Sequence, residues 1–481
     1  MRLAHQTNSN SEVRRAALLN IPIAKHTIPA ILARSRDTDT VMRRLVYSTV
    51  LEKNCMTQDA SAMGPLHPRV LTIAQRELII RNGLGDREPA VRTAAGSLLG
   101  VWVDVVRGST KPEEGGVQED ILALLNLFDL TENTVAEDAL LSVFATRVDI
   151  FDHLEFKGAY MLYGRVTHSF DPSYMQDAFW DTLIPEKAFL ARVYVEHCIA
   201  TNDQAKLEAS LPVVTHLAFR IQNAYNKYQE DVESFSEQLA LRGLDANERP
   251  DRDADERLND LLLDAEFVIA EMLKIAVNLD YADEIGRRKM FQLVRDMIGQ
   301  EGLPEGLVAR CLDVLRVLSP SERDLIRVVV EVVHELRDER DGGGEEAEKA
   351  KDAEGGEEAD DENERDASSS VANTPKAPKP PKKLTPEEQA RADALDLRCL
   401  SLCIGMLERV NGVRPLLPHE VIPQRCVQTF EENSTLEGIL GELIIPAVTR
   451  KDLALREKGL VCLGLCCLIA RVGPILLHPE L

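Results

Sequence analysis

The sequence predicts an all-α fold of stacked helical repeats, because one short pattern occurs three times in the first hundred residues. In each copy a polar or acidic residue precedes an Arg by six positions, and the Arg opens a helical stripe rich in Val, Leu and Ala. The copies run from Asn8 to Arg14, from Asp37 to Arg43 and from Asp86 to Arg92, with a fainter one around Arg456. One such unit cannot bury its own apolar face, so it must pack on its neighbours. The pattern is typical of a HEAT-type α-solenoid, a fold that usually binds partners.

The composition fits this fold class. A chain of 481 residues exceeds the size at which a single core normally stops growing, whereas a stack of repeats has no such limit. Aromatic residues make up only 5% of the chain, so Leu, Val and Ala must supply the packing. The longest apolar run, Leu460–Ala470, has 11 residues, fewer than the roughly 20 that span a bilayer. With no signal peptide recognisable, we expect a soluble intracellular protein without membrane partners.

The elements can be predicted in order from apolar periodicity and from the polar stretches between periodic segments. Residues 11–20 read as the second helix of a repeat, and helix pairs follow at 26–35 with 39–54, 69–83 with 88–107, and 118–128 with 132–146. Longer helices are predicted at 186–201, 205–229, 259–279, 283–299, 305–318 and 320–337, and again from Glu387 onwards. The resulting organisation is HEAT repeats over 1–229, an acidic loop over 230–258, HEAT repeats over 259–337, a disordered linker over 338–386 and a C-terminal HEAT domain over 387–481. Because neither end shows a polar capping helix, we expect a fragment of a longer solenoid.

Charge is distributed unevenly along the chain. The net charge is −24, and most of it comes from the acidic stretches 230–260 and 338–366, which are predicted to lie outside the repeats. Residues 1–107 instead contain 15 Lys and Arg against 9 Asp and Glu. The basic N-terminal repeats therefore permit a polyanionic partner.

Catalytic and cofactor motifs are lacking. The sequence has no phosphate-binding loop, no zinc-protease motif and no nucleophile elbow, and its ten His residues are dispersed. Its cysteines, including Cys399 with Cys403 and Cys462 with Cys466, fall at helical core spacing and form no metal-binding pair. We expect buried reduced cysteines, no metal or other cofactor, and no enzymatic activity.

Cations at recurring places suggest a DNA-binding surface. Equivalent positions of stacked repeats align, so a row of cations could follow a phosphate backbone without reading bases. The candidate DNA-binding residues are Arg14, Arg15, Lys25, Arg34, Arg36, Arg43 and Arg44. For Arg14, Arg43 and Arg92 the alternative is a structural role, with each pairing to an Asp or a carbonyl of a neighbouring turn, whereas Arg15 and Arg44 are expected to have no such role. Scattered solvated charge is the alternative for the whole set.

Three regions of the sequence, two near the N-terminus and one near the C-terminus, are more specific than a generic HEAT repeat. SEVRRAALLNI with ILARSRDTDTVMRRLVYSTVL, then RELIIRNGLGDREPAVRTAAGSLLGVWV, and finally ALDLRCLSLCIGMLERV with LALREKGLVCLGLCCLIAR closely resemble the condensin subunit 3 family. The matching regions cover about the first 110 and the last 90 residues, in the order found in the family.

The resemblance implies a non-catalytic HEAT subunit of condensin that binds the kleisin subunit and, without sequence preference, double-stranded DNA. It also implies indirect association with a pair of SMC ATPases and a second HEAT subunit, and a place in the nucleus on mitotic chromosomes, with the interphase cytoplasm as an alternative. Two other classes stay open, a HEAT subunit of cohesin and a peptide-binding solenoid of the karyopherin or scaffold kind.

Overall fold

The protein is helical throughout the part of the chain that the structure describes. This computed structural model describes residues 9–57, 62–106, 117–131, 134–154, 156, 178–244, 252–353, 385–410 and 434–471. Within these ranges the only extended pairing is an isolated bridge between Met56 and Met63. Of the helices described, none is both long and apolar enough to span a membrane. The predicted all-α class is confirmed.

The chain divides into two compact units, Met1–Asp280 and Tyr281–Leu481. The α-helices of the first unit are α1 (Ser11–Asn20), α2 (Ile28–Leu32), α3 (Thr40–Leu45), α4 (Ile73–Leu84), α5 (Pro89–Val106), α6 (Val117–Leu125), α7 (Val135–Thr146), α8 (Val148–Asp152), α9 (Ala178–Asp181), α10 (Pro185–Thr201), α11 (Gln204–Ser210), α12 (Val214–Leu244) and α13 (Arg252–Ala276). Those of the second unit are α14 (Glu284–Ile298), α15 (Glu305–Leu318), α16 (Glu322–Ala353), α17 (Pro386–Glu408), α18 (Ser434–Ile439), α19 (Ile445–Thr449) and α20 (Leu453–Arg471).

Two layers of helices recur in both units. In the first unit α1, α3, α5 and α7 contact one another in succession, and α2 contacts α4 beside them. In the second unit α15, α17 and α20 form one succession, and α14, α16 and α18 form the other. Short turns join neighbouring helices such as α4 with α5 and α14 with α15, as in a stack of helical hairpins. The predicted HEAT-type arrangement is therefore confirmed within each unit.

Local sequence explains where the N-terminal helices begin. Asn10 and Asp39 cap α1 and α3 by accepting hydrogen bonds from backbone N–H groups of the first turn. Thr72 and Gln75 form a reciprocal capping box at the start of α4. After Leu45 the backbone continues as a π-helical segment over Val46–Leu51, which orients Tyr47 into the core. These caps fix the turns that carry the candidate site.

The core consists mainly of aliphatic side chains, as the composition predicts. Trp102 and Tyr47 are among the largest fully buried side chains. Of the cysteines described, all are free and only Cys467 is exposed, so the expectation of buried reduced thiols holds for the others.

The acidic loop predicted over 230–258 is wrong for the residues described. Helix α12 continues to Leu244, and α13 already begins at Arg252. The stretch 230–242 contains no Gly or Pro, and its Glu, Gln, Leu and Ala residues favour helix despite their high charge. Paired acidic helices therefore replace the predicted loop.

Two further boundaries differ from the prediction. The helix expected over 205–229 is interrupted after Ser210, because Pro212 restricts the residue before it and cannot donate a backbone hydrogen bond. The linker predicted over 338–386 is helical up to Ala353, where Ala, Glu and Lys favour helix. Residues 354–384 lie outside the described part of the chain, and Thr385 caps α17.

Candidate nucleic-acid interface at the turns of the N-terminal repeats

In the first two copies of the repeat pattern, the Arg bonds to the turn of the next copy. Arg14 donates from Nη2 to Asp37 Oδ1 at 2.7 Å and from Nε to Asp37 Oδ2 at 3.0 Å. Arg43 repeats this geometry with Asp86, at 3.0 Å to Oδ1 and 2.6 Å to Oδ2. Both contacts are bidentate, the arrangement that a planar guanidinium and a carboxylate favour. Consecutive repeats are thus joined by an Arg–Asp bridge.

The arginines of the second and third copies also bond to the turn that precedes their own helix, which explains the six-residue spacing in the sequence. Arg43 donates to the carbonyl of Asp37 at 2.9 Å, and Arg92 donates to the carbonyl of Asp86 at 2.7 Å. An Asp in this position therefore serves twice. Its carboxylate accepts from the preceding repeat, and its carbonyl accepts from the Arg six residues later.

The bridges hold their carboxylates in the ionised form. The hydrogen bond from Arg43 lowers the pKa of Asp86 and outweighs the opposite effect of burial. Burial on its own would raise the pKa of Asp37, but the hydrogen bonds from Arg14 and from the backbone of Asp39 lower it overall. Because each carboxylate is paired with a guanidinium group, each bridge contributes little net charge to the electrostatic potential at the protein surface.

Arg14 and Arg43 were expected on the DNA-facing surface, and their placement requires a correction. They are only 8% and 5% exposed, and their guanidinium groups are occupied by the bridges. A side chain in this position cannot reach a phosphate without breaking a buried ion pair. Their role is structural, the alternative that the sequence had left open.

Arg15 and Arg34 are partly exposed but paired. Arg15 donates to Asp39 at 2.6 Å, so the expectation that it lacks a structural partner is wrong. Arg34 shares Asp37 with Arg14, at 3.1 Å. Both keep some accessible surface, 31% and 21% of the side chain, yet each is already neutralised by a carboxylate.

Arg36, at the end of the 3₁₀ segment Ala33–Arg36, and Arg44, in α3, are both exposed, as expected. Arg36 donates to the neutral side chain of Asn82 at 3.0 Å, which orients the guanidinium and leaves its charge uncompensated. Arg44 contacts no carboxylate among the described residues. These two keep their full positive charge toward solvent.

Two further arginines at these turns were missed by the sequence reasoning. Arg87 is exposed in the turn that follows α4, and Arg92 is exposed in the first turn of α5. Arg92 donates to the carbonyls of Asp86 and Arg87, which agrees with the structural role considered for it, but it pairs with no carboxylate among the described residues. We use the name cationic edge for the exposed arginines at or beside these turns that pair with no carboxylate among the described residues, which are Arg36, Arg44, Arg87 and Arg92.

Lys25 lies away from the cationic edge. It is exposed in the turn that precedes α2, whereas Arg36 lies at the end of the 3₁₀ segment that extends this helix. The nine residues from Ile28 to Arg36 place these cations about 15 Å apart along the helix axis. The expected single row of cations is therefore incomplete at Lys25.

The cationic edge has the chemistry of a non-specific phosphate-binding surface. It presents guanidinium groups on successive turns, and packed helices are spaced about 8–10 Å apart. In the described residues no group of His, Cys, Asp and Glu is arranged to hold a metal ion. The arrangement suits contact with a sugar–phosphate backbone better than recognition of base edges.

Arginines also connect the C-terminal helices, the buried Arg398 and the exposed Arg450, although not at the predicted position. Arg398 in α17 donates to the carbonyl of Leu303 at 2.9 Å, and Arg450 donates to Asp396 at 3.2 Å. Arg456, where the sequence shows a fainter copy of the repeat pattern, is instead exposed and forms no such bridge among the described residues. In the second unit, hydrogen bonds from Arg398 and Arg450 therefore connect successive helices in place of a contact from Arg456.

Comparison with known proteins adds independent information. A family model described as nuclear condensing complex subunits, C-terminal domain, matches residues 398–473. Condensin complex subunit 3 of Schizosaccharomyces pombe is 29% identical over 466 residues, covering 96% of this chain and 44% of the relative. The Saccharomyces cerevisiae and human proteins of the same name are 27% and 24% identical, over 96% and 69% of this chain and 40% and 28% of theirs.

A solved structure is similar over nearly the whole chain. The crystal structure of the S. pombe condensin Cnd3–Cnd2 subcomplex matches with a TM-score of 0.64 and 26% identity, covering 97% of this chain and 46% of that one. The chain thus spans less than half the length of the relatives it matches. The resemblance seen in the sequence is confirmed, because this chain is similar to condensin complex subunit 3 over most of its length and to the C-terminal family model over residues 398–473.

Proposed function

We propose that this chain acts as a non-catalytic HEAT-repeat part of condensin that binds the kleisin subunit and double-stranded DNA. The observation that carries the proposal is the likeness, over 97% of the chain, to a protein solved as a subcomplex with a second condensin subunit. A helical-repeat stack offers long surfaces to an extended or helical partner segment, which is how we expect kleisin to bind. The proposal assigns ATP hydrolysis to the SMC pair, with which this chain and a second HEAT subunit associate through kleisin. It places the protein in the nucleus, on mitotic chromosomes.

Co-expression with kleisin fragments tests the partner. We expect a condensin kleisin fragment to co-purify with this chain through affinity and size-exclusion steps, and a cohesin kleisin fragment to be lost. Retention of the cohesin fragment alone would move the assignment to the sister complex. Retention of neither, by a folded chain, would favour a peptide-binding solenoid of another kind.

DNA binding is the second part of the proposal, and the cationic edge supports it. Each phosphate contact on duplex DNA contributes roughly −0.9 to the slope of log affinity against log salt. Reversal of all four arginines to Glu should weaken binding to unrelated duplex sequences alike and flatten this slope by at most about 3.6 units. The control is Lys25→Glu, an exposed cation about 15 Å away along the helix axis. Unchanged affinity of the fourfold variant across the salt titration would contradict a role of this edge in DNA binding.

A further inference from the structure

A cavity of about 480 Å³ opens in the second unit beside α14, away from the candidate DNA-binding edge. Its floor and one wall come from α14, and the opposite wall comes from the turn between α15 and α16. The residues that form it are Arg287, Arg288, Phe291, Gln292, Arg295, Asp296, Leu318 and Pro320. Three guanidinium groups thus line an open groove beside an aromatic ring and two apolar side chains.

The three arginines are available to an anionic ligand. Arg287 is exposed and forms no ion pair with any residue that the structure describes. Arg288 pairs with Glu284 and Arg295 pairs with Glu335, but more than half of each carboxylate is exposed. Ion pairs this exposed contribute little, so a multivalent acidic segment could replace them. Because Asp296 is the only acidic residue of the lining, the groove itself is positively charged.

We propose that this groove binds the acidic segment 354–366 of the same chain. The segment has eight Asp and Glu against a single Arg, which complements the groove. It follows directly on α16, the helix whose Glu335 contacts Arg295. Docking therefore places an intramolecular acidic segment on a basic surface of the second unit and excludes other polyanions from it.

The lengths permit this contact. From Glu335 to Ala353 the backbone is helical, which separates the start of the segment from Arg295 by at most about 27 Å. Arg288 lies a further seven residues, or about 10 Å, along α14. Thirteen extended residues reach about 45 Å, so the end of the segment, from about Glu362 onwards, can reach the part of the groove between Gln292 and Arg288. Tethering gives it an effective concentration near the millimolar range, at which weak ionic contacts suffice.

Zero-length cross-linking of the full chain tests the proposal. A carbodiimide joins Lys amines to carboxylates, so Arg287→Lys and Arg288→Lys keep the charge and introduce reactive groups in the groove. The control is Arg456→Lys, an exposed cation on α20 in the same unit. We expect cross-links to residues 354–366, mapped by mass spectrometry, at roughly five times the control yield. The yield should fall roughly fivefold when the salt concentration is raised from about 0.05 to about 0.5 M. Yields equal to the control, or insensitive to salt, would overturn the proposal.

A protection experiment provides a second readout. Gln292→Cys places a thiol at the exposed rim of the groove, and its rate of alkylation reports whether the rim is covered. Neutralising Glu362, Glu364 and Asp366 to their amides should raise that rate several-fold in low salt, because these are the carboxylates that an extended segment can bring to position 292. Alkylation of Arg456→Cys should stay unchanged. An unaltered rate at position 292 means that the groove is open or holds another occupant, and the proposal then fails.

Discussion

A network of buried ion pairs centred on one arginine connects three helices of the first unit. Arg192 in α10 donates to Glu271 of α13 at 2.6 Å and to Glu137 of α7 at 2.9 Å. Glu271 is fully buried and also accepts from Lys274. A buried ion pair is weak evidence for stability in itself, but the loss of one partner leaves an uncompensated charge. This network should therefore be sensitive to single substitutions.

Glu271→Ala is expected to destabilise the first unit by about 2–4 kcal/mol, because Arg192 and Lys274 lose their buried partner. Both Trp residues of the chain, Trp102 and Trp180, lie in this unit, so urea unfolding followed by Trp fluorescence reports on it selectively. The control Glu196→Ala removes a half-exposed partner of Arg192 and should cost less than about 1 kcal/mol. Equal effects of the two substitutions would contradict the role assigned to burial.

The Arg–Asp bridges predict a dependence of stability on pH. Because Arg43 lowers the pKa of Asp86 in the folded protein, this carboxylate stabilises the fold fully above its unfolded pKa of about 3.9. The contribution is lost as the pH falls through the lower pKa of the folded state. We expect the urea midpoint of the first unit to fall between pH 5 and pH 3, and to fall less in Asp86→Asn. Parallel pH profiles of the parent and the variant would show that the bridge does not couple folding to protonation.

At the scale of elements, close approach between helices determines where small residues are required. Gly83 in α4 lies where a Cβ atom would come within 2.6 Å of Ala95 in α5 and 2.8 Å of the Tyr47 ring. Tyr47 belongs to the π-helical segment and donates its hydroxyl to the carbonyl of Ile79 at 3.1 Å. Three helical segments therefore meet at a glycine.

Gly83→Ala should destabilise the first unit by about 1–3 kcal/mol, because a rigid core must move to admit the methyl group. Gly100→Ala in α5 is the matched control. Its Cβ would meet Arg147 at an ordinary 3.5 Å, and we expect a gain of about 0.5–1 kcal/mol from reduced backbone entropy of the unfolded chain. Urea unfolding with Trp fluorescence measures both, and a neutral or stabilising Gly83→Ala would show that the contact is looser than the structure indicates.

At the scale of the molecule, each unit is a stack whose apolar faces are exposed at several helices. Leu453, Leu460 and Leu468 on α20 are each about half exposed or more. In a stack of repeats, stability is a sum of neighbour contacts, so any partner that covers such faces adds to it. Binding of a partner should therefore be visible as thermal stabilisation.

A condensin kleisin segment at one hundred times its dissociation constant should add about 2.7 kcal/mol to the stability of the part it binds. Differential scanning calorimetry with increasing peptide should show the melting temperature rise by several degrees. The matched cohesin kleisin segment should leave it unchanged. A shift produced only by the cohesin peptide would reverse the assignment.

The sequence by itself determined the class of fold and the similarity to condensin complex subunit 3. The apolar period and the six-residue spacing between a polar residue and an Arg, which occurs three times, are local properties, and a repeat fold is built from local units that pack on their neighbours. The same locality allowed the capped starts of α1 and α3 to be located from residues within a few positions of each other. For this reason the helical hairpins of the N-terminal repeats could be predicted almost element by element.

Only the tertiary structure decided which cations are exposed. Arg14 meets its carboxylate 23 residues away and Arg43 meets its own 43 residues away, so neighbouring residues in the sequence do not reveal these pairs. Arg43 and Arg44 are adjacent in sequence, yet one is buried and the other exposed, because successive side chains of a helix point in directions about 100° apart. The role of each arginine therefore follows from the packing of one repeat on the next, which composition and local spacing do not specify.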